Sequence, residues 1–201
     1  MPPVPPPLPV PPIPVPPRPV PSPAAPPVPP GALSPPVAVT VDQLQTLVVA
    51  ALGSLYVAPD QTGPPQVIWY DHDGEALVHL DRTLVRLGVG LVLVALTLET
   101  DQTGVGQLTV PLGVGTPEMA GGLMVVTESR PRGTLALADR WGDTAVAAAW
   151  RALLDAAHAL ALQAGVDASG ARLVPGALLC DGKTFSVVPQ ARHPIDAVIG
   201  R

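Results

Sequence analysis

Apolar residues recur at helical spacing in two stretches of the chain. The first runs from Thr40 to Leu55, and Thr40 followed by Gln43 matches a capping box, in which side-chain oxygens satisfy free N–H groups at a helix start. This stretch is predicted to be an amphipathic helix that buries one face. The apolar positions on that face are Val41, Leu44, Leu47, Val48, Ala51, Leu52 and Leu55.

The second helical pattern is the stronger of the two. It is predicted to begin at Asp143, a favourable N-cap residue, and to end before Gly165, which suits the left-handed position after a helix. Its polar side carries Arg151 and Asp155 four residues apart, with His158 further along. Such a pair is typical of a solvated helix face. The apolar stripe comprises Val146, Trp150, Leu153, Leu154, Ala157, Leu160, Ala161 and Ala164.

The segment between the two helices has the character of β-strands. Val67–Tyr70 and Ala76–Leu80 flank the turn-forming tetrad Asp71-His72-Asp73-Gly74, which predicts a hairpin. Leu84–Leu98 is rich in valine and leucine and is predicted to form one long bent strand, with its internal glycines marking a bulge or a close approach.

Further strands are predicted on both sides of the second helix. Gln107–Val114 and Leu123–Thr127 complete an antiparallel meander. Arg172–Val174 is predicted to be a short strand, and Ala177–Val188 is predicted to fold into a hairpin at Asp181-Gly182. The order of helix, meander, helix and hairpin predicts an α+β fold, with two helices packed on one face of a mainly antiparallel sheet.

The chain begins with a proline-rich arm. Residues 1–36 hold 20 of the 29 prolines, and proline can neither propagate a helix nor pair inside a sheet. The arm is predicted to form polyproline II, a rod that would reach about 110 Å if fully extended. Residues 37–201 are predicted to form a single α+β domain, of which residues 189–201 look irregular.

The arm is expected to act as a spacer or docking strut. Peptides that dock in aromatic-lined grooves usually combine P-x-x-P with a flanking arginine. Neither order of that motif is complete around Arg18, because Ala24 stands where R-x-x-P-x-x-P needs a proline and Ile13 stands where P-x-x-P-x-R needs one. The side chains of the arm that are predicted to lie along an apolar groove of a partner are Val10, Ile13, Val15, Arg18 and Val20.

Composition narrows the classes of partner and compartment. The net charge is −5, which disfavours binding to nucleic acid and to anionic lipid. Apolar residues make up 47% of the chain and charged residues only 13%, which favours association of the chain with itself or with another protein. The apolar run Leu87–Leu98 is too short to cross a bilayer as a helix, and no signal peptide is recognised. We expect a cytoplasmic protein without membrane insertion, and its near lack of lysine suggests a high-GC bacterial genome.

One cluster of residues has the chemistry of a metal site. Asp71, His72 and Asp73, with His79 and Asp81 nearby, offer carboxylates for a hard cation and imidazoles for a transition metal. Aspartate and glycine are equally typical of a tight turn, and the spacing matches no calcium loop. The turn is the favoured interpretation, and no metal or cofactor is predicted.

A lone cysteine is the second chemical candidate. Cys180 has the residue type of a nucleophile, with His158 or His193 as base and Asp181 as the group that orients the base. It also ends an apolar run, where a small thiol suits the buried side of a strand. The buried, unreactive thiol is the favoured interpretation, and no catalytic residue is predicted.

A cluster of arginines is the third candidate, and the one predicted to contact a partner or ligand. Arg130 and Arg132 flank Pro131, and Asp139 and Arg140 follow closely. Two guanidiniums on a bent loop suit a carboxylate or a phosphate, although a plain exposed connector explains the charges as well.

These patterns favour a non-enzymatic structural or interaction protein that assembles with itself or with a larger complex. Two alternatives remain open. One is an enzyme that binds a small anionic molecule near Arg130, Arg132 and Asp139, and the other is a chaperone-like accessory module that binds another chain on its sheet face. Convergence of carboxylates and histidines in a concave pocket would favour the enzyme.

Overall fold

The structure is a computed structural model that describes residues 35–55, 65–71, 74–118, 130–165 and 172–191. Within these ranges the chain forms two helices, α1 (Val41–Leu55) and α2 (Leu135–Gln163). The strands are β1 (Val37–Thr40), β2 (Gln66–Asp71), β3 (Gly74–Gly88), β4 (Leu91–Thr100), β5 (Gly104–Gly113), β6 (Arg132–Gly133), β7 (Leu173–Cys180) and β8 (Thr184–Ala191). The proline-rich arm up to residue 34, the predicted strand Leu123–Thr127 and residues 192–201 lie outside the described ranges.

The strands form two antiparallel sheets rather than the single sheet expected. One has the order β2-β3-β4-β5-β6 and the other the order β1-β8-β7. The helices pack against each other, α1 contacts β3 and β8, and α2 contacts β5, β7 and β8, so both helices touch both sheets. The predicted α+β class, with two helices on antiparallel strands, is confirmed.

Backbone pairs at one end join the two sheets. Val89 forms an antiparallel bridge with Asp181, and Gly115 forms a parallel bridge with Leu179. The Gly90 N–H donates to the Cys180 carbonyl at 3.0 Å, and the Cys180 N–H donates to the Gly115 carbonyl at 2.9 Å. The two sheets and the helices between them therefore share one continuous hydrophobic core.

The start of α1 is as predicted. The Thr40 N–H donates to Gln43 Oε1 at 3.0 Å and the Gln43 N–H donates to Thr40 Oγ1 at 3.4 Å, which is the reciprocal pair of a capping box. Leu44, Val48 and Leu52 are fully buried, as the apolar stripe requires. The same Thr40 ends β1, a strand that the sequence analysis did not predict.

The predicted start of α2 is wrong. The helix begins at Leu135 with Thr134 as its N-cap residue, and Asp143 lies inside it. Gly142 favours a break when the helix is considered alone, but Leu137 and Trp141 are buried and extend the apolar stripe toward the N-terminus. Their burial outweighs the propensity of one glycine. The predicted end is confirmed, because Gly165 follows the C-cap residue with φ of 99°.

The apolar face of α2 also differs from the one predicted. Trp150 is only half-buried and packs at the margin of the core, whereas Trp141 is 1% exposed. The centre of the stripe is lined mainly by alanines, which let α2 lie close to its neighbours. The ion pair between Arg151 and Asp155 is present at 3.2 Å, and His158 is exposed as predicted.

Length and composition alone would allow α2 to cross a membrane. It has 29 residues with a mean hydropathy of 1.3 in its most apolar window, and half of that window is buried inside the fold. A core helix has the same length and composition, and α2 contacts both sheets.

The predicted long strand Leu84–Leu98 is two strands. β3 ends at Gly88, which pairs with Leu91 at the start of β4, and Gly90 between them has φ of 66°. An L-residue is strained in that conformation, so glycine at position 90 permits the tight hairpin. The bulge that the sequence analysis expected near these glycines lies earlier in β3, between His79 and Leu84.

The C-terminal hairpin is confirmed, but its second strand is longer than predicted. It turns at Asp181-Gly182, where Asp181 Oδ1 accepts from the Lys183 and Thr184 N–H groups, both at 2.7 Å. These hydrogen bonds hold the pKa of the Asp181 carboxyl below its usual value. β8 continues through Pro189 to Ala191, so the irregular segment predicted to begin at Pro189 is wrong for its first three residues.

Candidate functional site

The arginine cluster borders a cleft beside the N-terminal half of α2. The cleft has a volume of about 570 Å³ and is lined by Arg130 and Arg132 from the connector and by Asp139 from the helix. Asp143, one turn beyond Asp139, lines it as well. The cleft thus brings together three of the four predicted contact residues, Arg130, Arg132 and Asp139. Its lining contains two guanidinium groups and two carboxylates.

Arg140, the fourth predicted contact residue, serves a different place in the fold. Its Nε and Nη2 donate to the two carboxylate oxygens of Asp71 at 3.0 and 2.9 Å, and its Nη1 donates to Gln102 Oε1 at 2.9 Å. Gly74 lies beside it, where a Cβ atom would come within 3.1 Å of Arg140 Nη2. Arg140 therefore connects α2 to the end of β2 and to the turn between β4 and β5.

The predicted metal cluster is divided between two sides of the five-stranded sheet. Asp71 is on the helix side and is held by Arg140, whereas His79 is on the opposite side and contacts Gln66 and Glu99. His72 and Asp73 lie outside the described residues. In the part of the chain that the structure describes, no three His, Cys, Asp or Glu side chains are grouped so that they could hold a metal ion.

Cys180 is buried at the point where the two sheets meet. It is 1% exposed, and burial raises the pKa of its thiol. His158 is exposed on α2, and His193 lies outside the described residues. The environment of Cys180 stabilises a neutral thiol rather than the thiolate that a nucleophile needs.

We therefore expect Cys180 to be unreactive in the folded protein. An aromatic disulfide reagent at pH 8 should label less than one tenth of the thiol within an hour, because both access and ionisation are suppressed. The same reagent should label the cysteine fully in denaturant. Rapid labelling under native conditions would contradict this expectation.

One whole face of the five-stranded sheet points away from the helices, and we call it the open face. Cross-strand pairs define it, because residues directly opposite each other in antiparallel strands share a side of the sheet. From one end to the other, its rows are Tyr70–Glu75; Ile68–Leu77–Glu99–Val105; Gln66–His79–Thr97–Gln107; Leu84–Ala95–Thr109–Arg132; Arg86–Leu93–Pro111; and Gly88–Leu91–Gly113.

The centre of the open face is apolar although it faces solvent. Leu84 is 43% exposed, and its neighbours Leu93 and Ala95 are half-buried. β4 is apolar on both of its sides, since Val92, Val94, Leu96 and Leu98 fill the core while Leu91, Leu93 and Ala95 look outward. Strands with apolar residues on both sides are typical of sheets covered on both faces.

Charged residues occupy the two ends of the open face with opposite signs. Glu75, Glu99 and Asp101 border a small groove of about 200 Å³ at the end formed by the β4–β5 turn. Arg86 is exposed toward the other end. The face is therefore polarised along the direction of its strands.

A histidine network lies between the acidic end and the apolar centre. His79 is 6% exposed, with Nδ1 3.0 Å from Gln66 Nε2 and Nε2 2.9 Å from Glu99 Oε2. The Gln66 amide donates to Nδ1, so a neutral His79 carries its proton on Nε2 and donates it to Glu99. The network ties β2, β3 and β4 together and orients the Glu99 carboxylate.

No protein-family model, curated protein or solved structure matches this chain.

The sequence analysis did not identify the open face as a site, although its signal is in the sequence. The continuous apolar run that was interpreted as one bent strand contains the outward residues Leu91, Leu93 and Ala95. A half-buried strand would show polar residues at those alternate positions. The excess of apolar residues on the second side is the signal that could have located the surface.

Proposed function

We propose that this chain is a non-enzymatic interaction protein that binds another protein chain on the open face of its five-stranded sheet. The observation that carries the proposal is the two-sided apolar character of β4. Its outward residues lie in one contiguous surface with Leu84 and Pro111. A contiguous apolar surface with a charged rim is typical of a protein–protein interface.

This proposal combines two of the expectations from sequence: assembly with another chain, and binding on a sheet face. The proline-rich arm would then act as a spacer that leaves the domain free to reach its partner. The open face, rather than the arm, supplies the contact in this proposal.

The arginine cleft supports the alternative of an anion-binding enzyme less well. Asp139 and Asp143 line the same cleft as Arg130 and Arg132. The negative charges of the two carboxylates reduce the positive electrostatic potential that the guanidiniums would present to an anion. A site for a phosphate or carboxylate normally combines arginines with neutral or N–H donors. The open face therefore carries the proposal.

The test compares two single charge insertions in the tagged full-length chain. Leu93→Asp places a carboxylate at the centre of the open face, and Leu162→Asp places one on α2, where the leucine is already 51% exposed. The chain that co-purifies with the wild type from its native host, whether a second copy or a different protein, is identified and the complex is reconstituted from pure components.

We expect Leu93→Asp to weaken the reconstituted complex at least tenfold and Leu162→Asp to leave it unchanged, because burying an unpaired charge in an interface is costly. Circular dichroism establishes that both variants are folded. Equal binding by both variants, or the absence of any chain that binds the wild type, would overturn the proposal.

A further inference from the structure

We infer that the chain bound on the open face is a second copy of this protein, packed face to face about a two-fold axis that runs across the strands. This inference rests on the proposed function. It follows from the charges at the two ends of the face and from its apolar centre.

The polarity of the open face selects the direction of the axis. In a face-to-face dimer the two-fold axis lies between the sheets, either along the strands or across them. An axis along the strands would set Glu75 and Glu99 of one copy over the same acidic end of the other. An axis across the strands reverses one copy and brings each acidic end over the basic end that contains Arg86. Opposite charges then meet twice in one interface.

The register of β4 places the charges at suitable distances. Glu99 and Leu93 are six residues apart in β4, or about 20 Å along the strand. Their midpoint is the level of Leu96, between the outward residues Ala95 and Thr97. With the axis at that level, Leu93 of one copy lies over Glu99 of the other. Arg86, which pairs with Leu93 across β3 and β4, then falls beside Glu75 and Glu99 of the second copy.

Small and apolar side chains surround the proposed axis on β4. Ala95 is half-buried on one side of the proposed axis, and Thr97 on the other side is buried, where its hydroxyl donates to the Arg82 carbonyl in the β3 bulge at 3.5 Å. Leu84 lies in the same row as Ala95, and Leu93 is the next outward residue along β4, so the two leucines would fill the space beside the axis. An apolar centre between charged ends matches the usual anatomy of an interface.

The experiment measures the mass of the full-length chain by light scattering between about 1 and 100 μM. We expect the wild type to be a dimer at the higher concentrations. Arg86→Glu should raise the dimer dissociation constant at least tenfold, because it would meet the partner's acidic end. The matched control is Arg172→Glu, which makes the same charge change at an exposed arginine preceding β7 in the other sheet.

A charge-swap variant distinguishes the loss of an interface contact from misfolding of Arg86→Glu. The double variant Glu75→Arg, Arg86→Glu exchanges the signs at the two ends and should recover most of the lost dimer affinity. Glu75 is chosen because Glu99 is engaged with His79.

Three results would overturn the inference: a monomeric wild type, a dimer that Arg86→Glu leaves intact, or a double variant no better than Arg86→Glu in dimer affinity. A monomer that forms a complex with a different protein, sensitive to Leu93→Asp, would refute the second copy as partner and leave the proposed function standing. A monomer without any partner would refute both.

Discussion

Replacement of Trp141 by alanine is expected to lower the free energy of unfolding by about 3 to 5 kcal/mol. The side chain is 1% exposed, and its ring centroid lies 6.4 Å from that of Trp69, at an interplanar angle of 42°. Removal of the indole leaves a large cavity between α2 and β2 and deprives Trp69 of its aromatic neighbour. Urea denaturation followed by circular dichroism provides the measurement.

Two matched variants test whether the cavity causes this loss. Trp141→Phe keeps an aromatic ring, and Trp141 Nε1 has no hydrogen-bond partner among the described residues, so this variant should recover most of the stability. Trp150→Ala should cost clearly less than Trp141→Ala, because Trp150 is only half-buried. A larger loss for Trp150→Ala would contradict the packing described for α2.

Replacement of Arg140 by alanine is expected to lower the free energy of unfolding by roughly 2 kcal/mol, within the range for hydrogen bonds to charged groups. Its guanidinium binds both carboxylate oxygens of Asp71, and each side chain is less than one quarter exposed. The variant would lose this bidentate pair and the hydrogen bond to Gln102, and Asp71 would be left with its charge less well compensated.

A double-mutant cycle separates the pair from its surroundings. If the ion pair causes the loss, Asp71→Ala and Arg140→Ala together should cost clearly less than the sum of the two single variants. Arg132→Ala, at an exposed arginine, should change the stability by no more than about 0.5 kcal/mol. Strict additivity of Asp71→Ala and Arg140→Ala would show that the two side chains act independently.

The contrast between Arg132 and Arg140 shows where inference from the sequence ended. Both arginines lie in one short charged stretch, and nothing in that stretch distinguishes them. The partner of Arg140 is Asp71, which is 69 residues away in the chain. Only the packing of α2 across the ends of β2 and β3 brings the two together, so a role in stability could not be separated from a role in binding.

Local signals determined the elements whose ends depend on short-range hydrogen bonds and backbone conformation. The capping box at Thr40 and Gln43 placed the start of α1 within one residue, and Gly165 placed the end of α2. The hairpin at Asp181 was predicted for the same reason, because its carboxylate satisfies N–H groups two and three residues ahead. These interactions form within a few residues and are present in the sequence itself.

Tertiary contacts decided the features that the sequence left open. α2 extends back to Leu135 because Leu137 and Trp141 find a core to fill, which offsets the cost of Gly142. The apolar run around Gly88 and Gly90 is consistent with a bend or a hairpin, and the pairing of β3 with β4 selects the hairpin.

By itself, then, the sequence determined the α+β class, the capped start of α1 and the hairpin at Asp181. The division into two sheets and the formation of an open face depended on contacts between distant segments. The physical reason is the range of the forces: caps and turns depend on neighbouring residues, whereas the burial of an apolar surface depends on which surfaces the whole chain brings together.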